Sequence, residues 1–204
     1  EADGSSDVVF SLLEKEKDPK EDESYYRLDH IREHTGVTSA DDFADHIQEF
    51  VAEKPYIGRT NIIVNRGTDF GQALVDALRE RGMDPVAVTL SQGSGAVAGD
   101  TDETGVRLGV FDAVRALGEL YRDRRFGIEE NATEADSRLA RGLQRVSEIL
   151  DEAVENRGPK DASSTREQLS TVDTHLKSAS LAAWLGTERS FDPTQHLKED
   201  PQTG

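Results

Sequence analysis

Four carboxylates stand where segments of the chain begin or end. Asp3 and Asp7 precede the first apolar run (Val8 to Leu13), Asp69 sits in the turn after Asn61-Ile62-Ile63-Val64, and Asp173 opens the last apolar segment. Hard divalent cations take oxygen ligands, often two or three acids from separate elements. Two such ions about 4 Å apart activate a water and stabilise the leaving oxygen in phosphodiester cleavage. Mg2+ or Mn2+ is the cofactor this residue set would hold. The chain has 41 acids, however, and each of these residues also has an ordinary local role. Asp7 reads as a turn residue, and Asp69 and Asp173 as helix N-caps whose side-chain oxygens accept from free backbone amides. Spacing alone favours the local roles.

Other chemistries find less support. Gly93, Ser94, Gly95 and Gly99 lack the spacing of a phosphate loop, and no Gly-Lys-Ser/Thr follows them. The turn from Gly67 to Gly71 opens a helix and offers free amides to a phosphate. Its glycine spacing is not the dinucleotide fingerprint. No serine sits in a Gly-x-Ser-x-Gly turn. Among the five histidines, His30, His34 and His46 read as surface or strand-edge residues, and His175 and His196 have no evident partner. Cysteine is absent, which removes disulfides, thiolate ligands and a Cys nucleophile.

The elements that must position the acids follow from hydrophobic pattern. Val8 to Leu13 and Tyr25 to Arg32 read as an antiparallel strand pair, joined by a charged loop from Glu14 to Glu23 that contains Pro19. Ser39 caps a helix whose apolar face carries Phe43, Ile47, Phe50 and Val51 and which ends before Pro55. Ile62, Ile63 and Val64 form an unbroken apolar run, as in a strand covered on both faces. Gly67 and Gly71 allow backbone conformations that bulkier residues resist. Phe70, Leu74 and Leu78 give the next helix one apolar stripe, and Gly82 suits its end. Pro85 to Leu90 reads as a further strand, and Ser91 to Gly105 as a long Gly, Ser and Asp loop, either mobile or functional. Val106 to Arg122, Glu134 to Glu155 and Val172 to Leu185 read as helices, with a flexible polar loop from Asn156 to Thr165. The expected fold class is α/β: an antiparallel hairpin feeding parallel strands, a mixed sheet flanked by helices. Residues 1–186 form the expected domain, and 187–204 a polar, disordered tail.

The net charge is −17, from 41 acidic and 24 basic residues. The basic residues are 17 Arg and only 7 Lys. Acid excess, few Lys and few large aromatics suggest a protein adapted to molar salt, with an ordinary acidic domain as the alternative. There the Debye length is roughly 3 Å and surface self-repulsion is largely screened. In ordinary cytoplasm such a charge argues against nucleic-acid binding; in molar salt it argues much less. No apolar run approaches the roughly 20 residues of a membrane span and no signal peptide is visible, so an intracellular setting without a membrane is expected. The chain starts at Glu1 rather than Met, as a fragment or processed product would.

The order of these motifs resembles the C-terminal nuclease domain of the large terminase subunit of tailed viruses, an RNase H-like fold. That family opens on Asp-x-Gly-x-x-Asp. Here Asp3-Gly4-Ser5-Ser6-Asp7 precedes Val8-Val9-Phe10, one residue short. The family's central strand ends in a carboxylate followed by Thr-Gly-x-Gly and a helix like Leu-Val-Asp-x-Leu. Here Val64-Asn65-Arg66-Gly67-Thr68-Asp69-Phe70-Gly71 precedes Leu74-Val75-Asp76-Ala77-Leu78. Arg79 to Leu90 is similar to the family's helix-to-strand passage. Val172-Asp173-Thr174-His175-Leu176 opens a helix rich in small apolar residues, as the family's last acid does.

The resemblance implies a metal-dependent endonuclease that cuts concatemeric viral DNA during packaging, in the host cytoplasm at high salt. It implies double-stranded DNA, an ATPase domain, a portal and a small terminase subunit as partners. Asp3 or Asp7, Asp69 with Asn65, and Asp173 would hold one or two Mg2+ or Mn2+ ions. Arg66 would lie near the scissile phosphate, and Ser91 and Ser94 would belong to a DNA-facing flap. Two departures bear on this. Asn65 stands where the family has its second carboxylate, and an amide brings no charge. The strand that should carry the first acid is barely contained in the chain, so that acid is Asp3 or lies upstream. A catalytically degraded docking module of the packaging machinery is the alternative, and a Rossmann-like nucleotide-binding domain a third reading.

Overall fold

The computed structural model describes residues 6–17, 24–91, 106–128, 133–155, 168 and 172–188. The acidic turn with Asp3, the loop residues 92–105 with Ser94, the polar loop 156–165 and the tail residues 189–204 lie outside the described residues. Strand β1 (Ser6–Lys17) and strand β2 (Ser24–Val37) form a long antiparallel hairpin in which Val9 faces Glu33 and Phe10 faces Arg32. The sequence places its strands at Val8 to Leu13 and Tyr25 to Arg32. Pairing carries both strands further at each end, because ladder hydrogen bonds do not depend on side-chain polarity. Strand β3 (Ile63–Asn65) pairs in parallel with β4 (Val86–Ser91), and β4 in parallel with β5 (Val106–Gly109). A short β6 (Phe126–Ile128) adds in parallel to β2.

The expected α/β class holds, with antiparallel and parallel strands and, among the described residues, five helices. These are α1 (Ala40–Ala52), α2 (Asp69–Glu80), α3 (Val110–Arg122), α4 (Glu134–Glu155) and α5 (Thr174–Glu188). The described strands do not form one hydrogen-bonded sheet. Among the described residues they form two three-stranded sheets, ordered β1-β2-β6 and β3-β4-β5.

Strand alternation explains how helices cover both sheets. Val8 and Phe10 of β1 and Val64 of β3 join one core with Phe43, Ile47, Leu74 and Leu78 of α1 and α2. Val9 and Leu13, on the opposite face of β1, join the larger core built on α3, α4 and α5. Ile63 of β3 likewise turns away from Val64 and packs near Leu181 and Trp184 of α5. One layer of strands therefore lies between α1 with α2 and α3 with α5. Helix α4 behaves as its sequence stripe requires: Leu139, Leu143 and Val146 are buried.

Some sequence expectations change. Val106 to Arg122 is not one helix, since its first four residues pair with β4. Val106 and Leu108 fit the two-residue period of a strand as well as they fit a helix, and the neighbouring β4 edge decides. Strand β6 had no recognisable pattern in its three residues. In the central strand only Val64 is buried and Ile62 and Ile63 are half-buried, so the apolar run is not sealed on both faces. Gly71 is helical and does not use the left-handed region, which is occupied among glycines by Gly36, Gly58 and Gly82. Its role is steric: a Cβ at Gly71 would overlap the Asn65 carbonyl.

Candidate functional site

The strand layer is interrupted between β1 and β3, and a cavity of about 1370 Å3 fills the interruption. Its walls include every residue from Asp7 to Glu16 on one side and from Gly58 to Asn65 on the other. Thr174, Lys177, Ser178 and Leu181 present one face of α5 to it, at helical spacing. Three of the regions singled out in the sequence meet this cavity: Asp7, Asn65, and Thr174, which directly follows Asp173.

Each candidate has a definite local role. Asp7 is exposed, and its Oδ1 accepts from the Gly36 amide at 3.3 Å. Asn65 closes β3, and its Oδ1 accepts from the Gly67 amide at 3.1 Å and the Leu90 amide at 3.5 Å. Thr68, not Asp69, caps α2: its Oγ1 accepts from the Gly71 amide at 3.0 Å. Asp69 is exposed in the first helical turn and does not line the cavity. It complements the positive end of the α2 dipole. Asp173 is exposed, and its Oδ1 accepts from the Leu176 amide at 2.8 Å, the capping role its sequence position suggests. Arg66 donates through Nε to Thr89 Oγ1 at 3.2 Å, and no carboxylate among the described residues pairs with it. Ser91 ends β4 and donates to the Leu108 carbonyl at 3.4 Å, tying β4 to β5.

Among the described residues, no group of three His, Asp or Glu side chains could hold a metal ion. The sequence-predicted ligand set is thus not assembled by the described residues alone. Asn65 is the clearest case, because its one oxygen already accepts from two backbone amides.

Two features escaped the reading of the sequence. His175 is buried, with Nε2 3.7 Å from Glu33 Oε2, and Arg138 reaches the same carboxylate oxygen at 3.9 Å. The signal was available: His175, Ala179 and Ala183 recur every four residues and all are buried. His30 and His34 are half-buried among rings rather than surface residues. His34 lies 5.2 Å from Phe43 and 5.8 Å from His46, and His30 lies 6.2 Å from Phe10. Burial, aided by Arg32, lowers the pKa of His30. Burial and then the neighbouring His46 lower that of His34.

Comparison with protein-family models, with curated proteins and with solved structures returns no match. No described helix is long and apolar enough to cross a membrane.

Proposed function

We propose that this chain is an RNase H-like domain of the terminase nuclease type, belonging to a metal-dependent endodeoxyribonuclease of DNA packaging. The observation that supports this reading is the shared cavity. Asp7, Asn65 and the first turn of α5 beside Asp173 come from three distant parts of the sequence and rim one space. A catalytic site built from separate strand and helix ends requires that kind of convergence. Arg66, without an acidic partner among the described residues, follows β3 just outside the cavity lining, and Lys177 of α5 lines the cavity itself; both are cations available to a phosphate. The described residues do not complete a ligand set, so no catalytic step is assigned to a metal.

The test is a supercoiled plasmid incubated with the chain and Mn2+ at low and molar KCl. Nicking is expected, and Asp173→Ala should reduce it at least 100-fold while the far-ultraviolet circular dichroism stays unchanged. Intact plasmid at every salt concentration, with folded protein, overturns the reading.

A docking module without catalysis is the second reading, and the engaged Asn65 carboxamide favours it. A docking module has a melting temperature indifferent to Mn2+, whereas a metal site raises it as the ion binds the native state. Asn65→Asp discriminates further. Its carboxylate can accept from both amides that now bond Oδ1, and it adds the missing charge. In a nuclease scaffold it should enlarge the Mn2+-dependent shift; in a docking module the shift stays at zero.

A further inference from the structure

The interruption between the two sheets has the dimensions and lining of a strand position. β1 pairs with β2 on one edge only, and β3 with β4 on one edge only. The remaining edges of β1 and β3 have no strand partner among the described residues and border the same cavity. Each edge carries a row of backbone amides and carbonyls pointing away from its partner strand. A strand residue occupies a rise of about 3.3 Å, a lateral spacing of about 4.8 Å and a depth of about 10 Å between covering layers, roughly 160 Å3. A cavity of about 1370 Å3 therefore matches about eight or nine strand residues. The β1 wall that lines it runs through ten consecutive residues, Asp7 to Glu16.

The covering layers define the occupant's chemistry. Phe43, Ile47 and Leu74 of α1 and α2 border the cavity from one face; from the other, α5 presents Leu181 and Leu185 along one half and Thr174, Lys177 and Ser178 along the rest. A strand covered on both faces is apolar at successive positions rather than at alternate ones. The six described strands are all paired already, so the described residues of a second copy could supply such a strand only by dismantling one of its own sheets.

We propose that the cavity is a vacant strand position, and that it takes an extended, largely apolar strand of about eight residues from polypeptide outside these 204 residues. The incoming strand pairs with β1 on one side and β3 on the other and joins the two sheets into one. Recognition is by strand addition, in which main-chain hydrogen bonds supply affinity and the flanking apolar layers supply selectivity. This inference uses the same cavity as the nuclease reading but rests on the strand edges and not on the acids at its rim.

The experiment uses the whole chain and a synthetic peptide with a central run of eight valine and isoleucine residues between lysine pairs. Isothermal titration and thermal unfolding should give saturable one-to-one binding in the micromolar range and a rise in Tm of several degrees. Nuclear Overhauser contacts should run from the peptide backbone to both β1 and β3. A peptide N-methylated at every second residue keeps its apolar side chains but cannot complete the ladder, and should bind at least tenfold more weakly. Ala182→Trp, which projects from α5 into the cavity, should abolish binding with the circular dichroism retained. Equal binding of both peptides would make this an apolar ligand pocket and overturn the proposal. Absence of binding up to millimolar peptide would also overturn it. A dimer of the chain that the peptide does not dissociate would make a second copy the occupant, with the same consequence. Plasmid nicking is read separately, so failure of either idea leaves the other standing or falling on its own assay.

Discussion

At the scale of single residues, the contact between Gly71 and the end of β3 decides how closely α2 approaches that strand. A Cβ at position 71 would overlap the Asn65 carbonyl. Alanine is the better helix former by about 1 kcal/mol, but overpacking a closed contact costs about 1–3 kcal/mol and more when backbone must move. The clash wins, so Gly71→Ala should lower stability by about 2 kcal/mol in urea unfolding. An unchanged or raised midpoint would show that the approach is slack. The histidines set a pH dependence. His30 and His34 are held below their ordinary pKa of 6.5, in both cases mainly by burial. In the unfolded chain they bind protons more readily than in the folded one. Their contribution is therefore fully present above pH 6.5 and is lost as the pH falls from there through their depressed folded values. Tm should drop between pH 7.5 and 5.5, and His34→Gln should flatten that slope. An identical slope in the variant would assign the dependence to other groups.

At the scale of elements, helix starts were legible where a cap stands beside an amphipathic stripe. Ser39 and the Phe43, Ile47 face located α1, and the Ser39 Oγ accepts from the Asp42 amide at 3.1 Å. The stripe of α4 located both of its ends. The sequence places the start of α2 one residue late, with Asp69 rather than Thr68 as its cap. Thr68 and Asp69 are both competent caps, and only backbone geometry selects between adjacent candidates: Thr68 is extended and Asp69 is already helical. Thr68→Ala should cost about 1 kcal/mol, whereas Asp69→Ala should cost a few tenths through the helix dipole alone. The reverse order in chemical denaturation would return the cap to Asp69. Strands β5 and β6 were not legible, because three or four residues carry too little periodicity to outweigh an adjoining helical pattern.

At the scale of the whole molecule, charge and topology act together. A net charge of −17 on 204 residues opposes compaction at low ionic strength and is screened in molar salt. Raising KCl from 0.15 to 2 M should therefore raise Tm. Relief of about 2 kcal/mol would move the midpoint by roughly 4–8 °C for a chain of this size. A flat or falling Tm would show that the acidic coat is not tuned to salt. The interrupted strand layer bears on the candidate site as well, since Asp7 and Asn65 stand on opposite sides of the gap. Pairing across it would change the distance between them, so strand addition and any chemistry at the rim are geometrically linked.

The sequence alone determined the α/β class, the apolar faces of the helices and the caps at Ser39 and Asp173. All three depend on side-chain periodicity and local backbone chemistry, which are written in consecutive residues. Tertiary structure alone decided that the described strands divide into two sheets, that His175 and Arg138 meet at Glu33, and that β1 and β3 each keep one edge unpaired among the described residues. The reason is physical: a strand's hydrogen-bonding edge is made of backbone, which is nearly the same for every residue type. Side chains announce which face of a strand is buried, but only its neighbours in space determine what its edges meet.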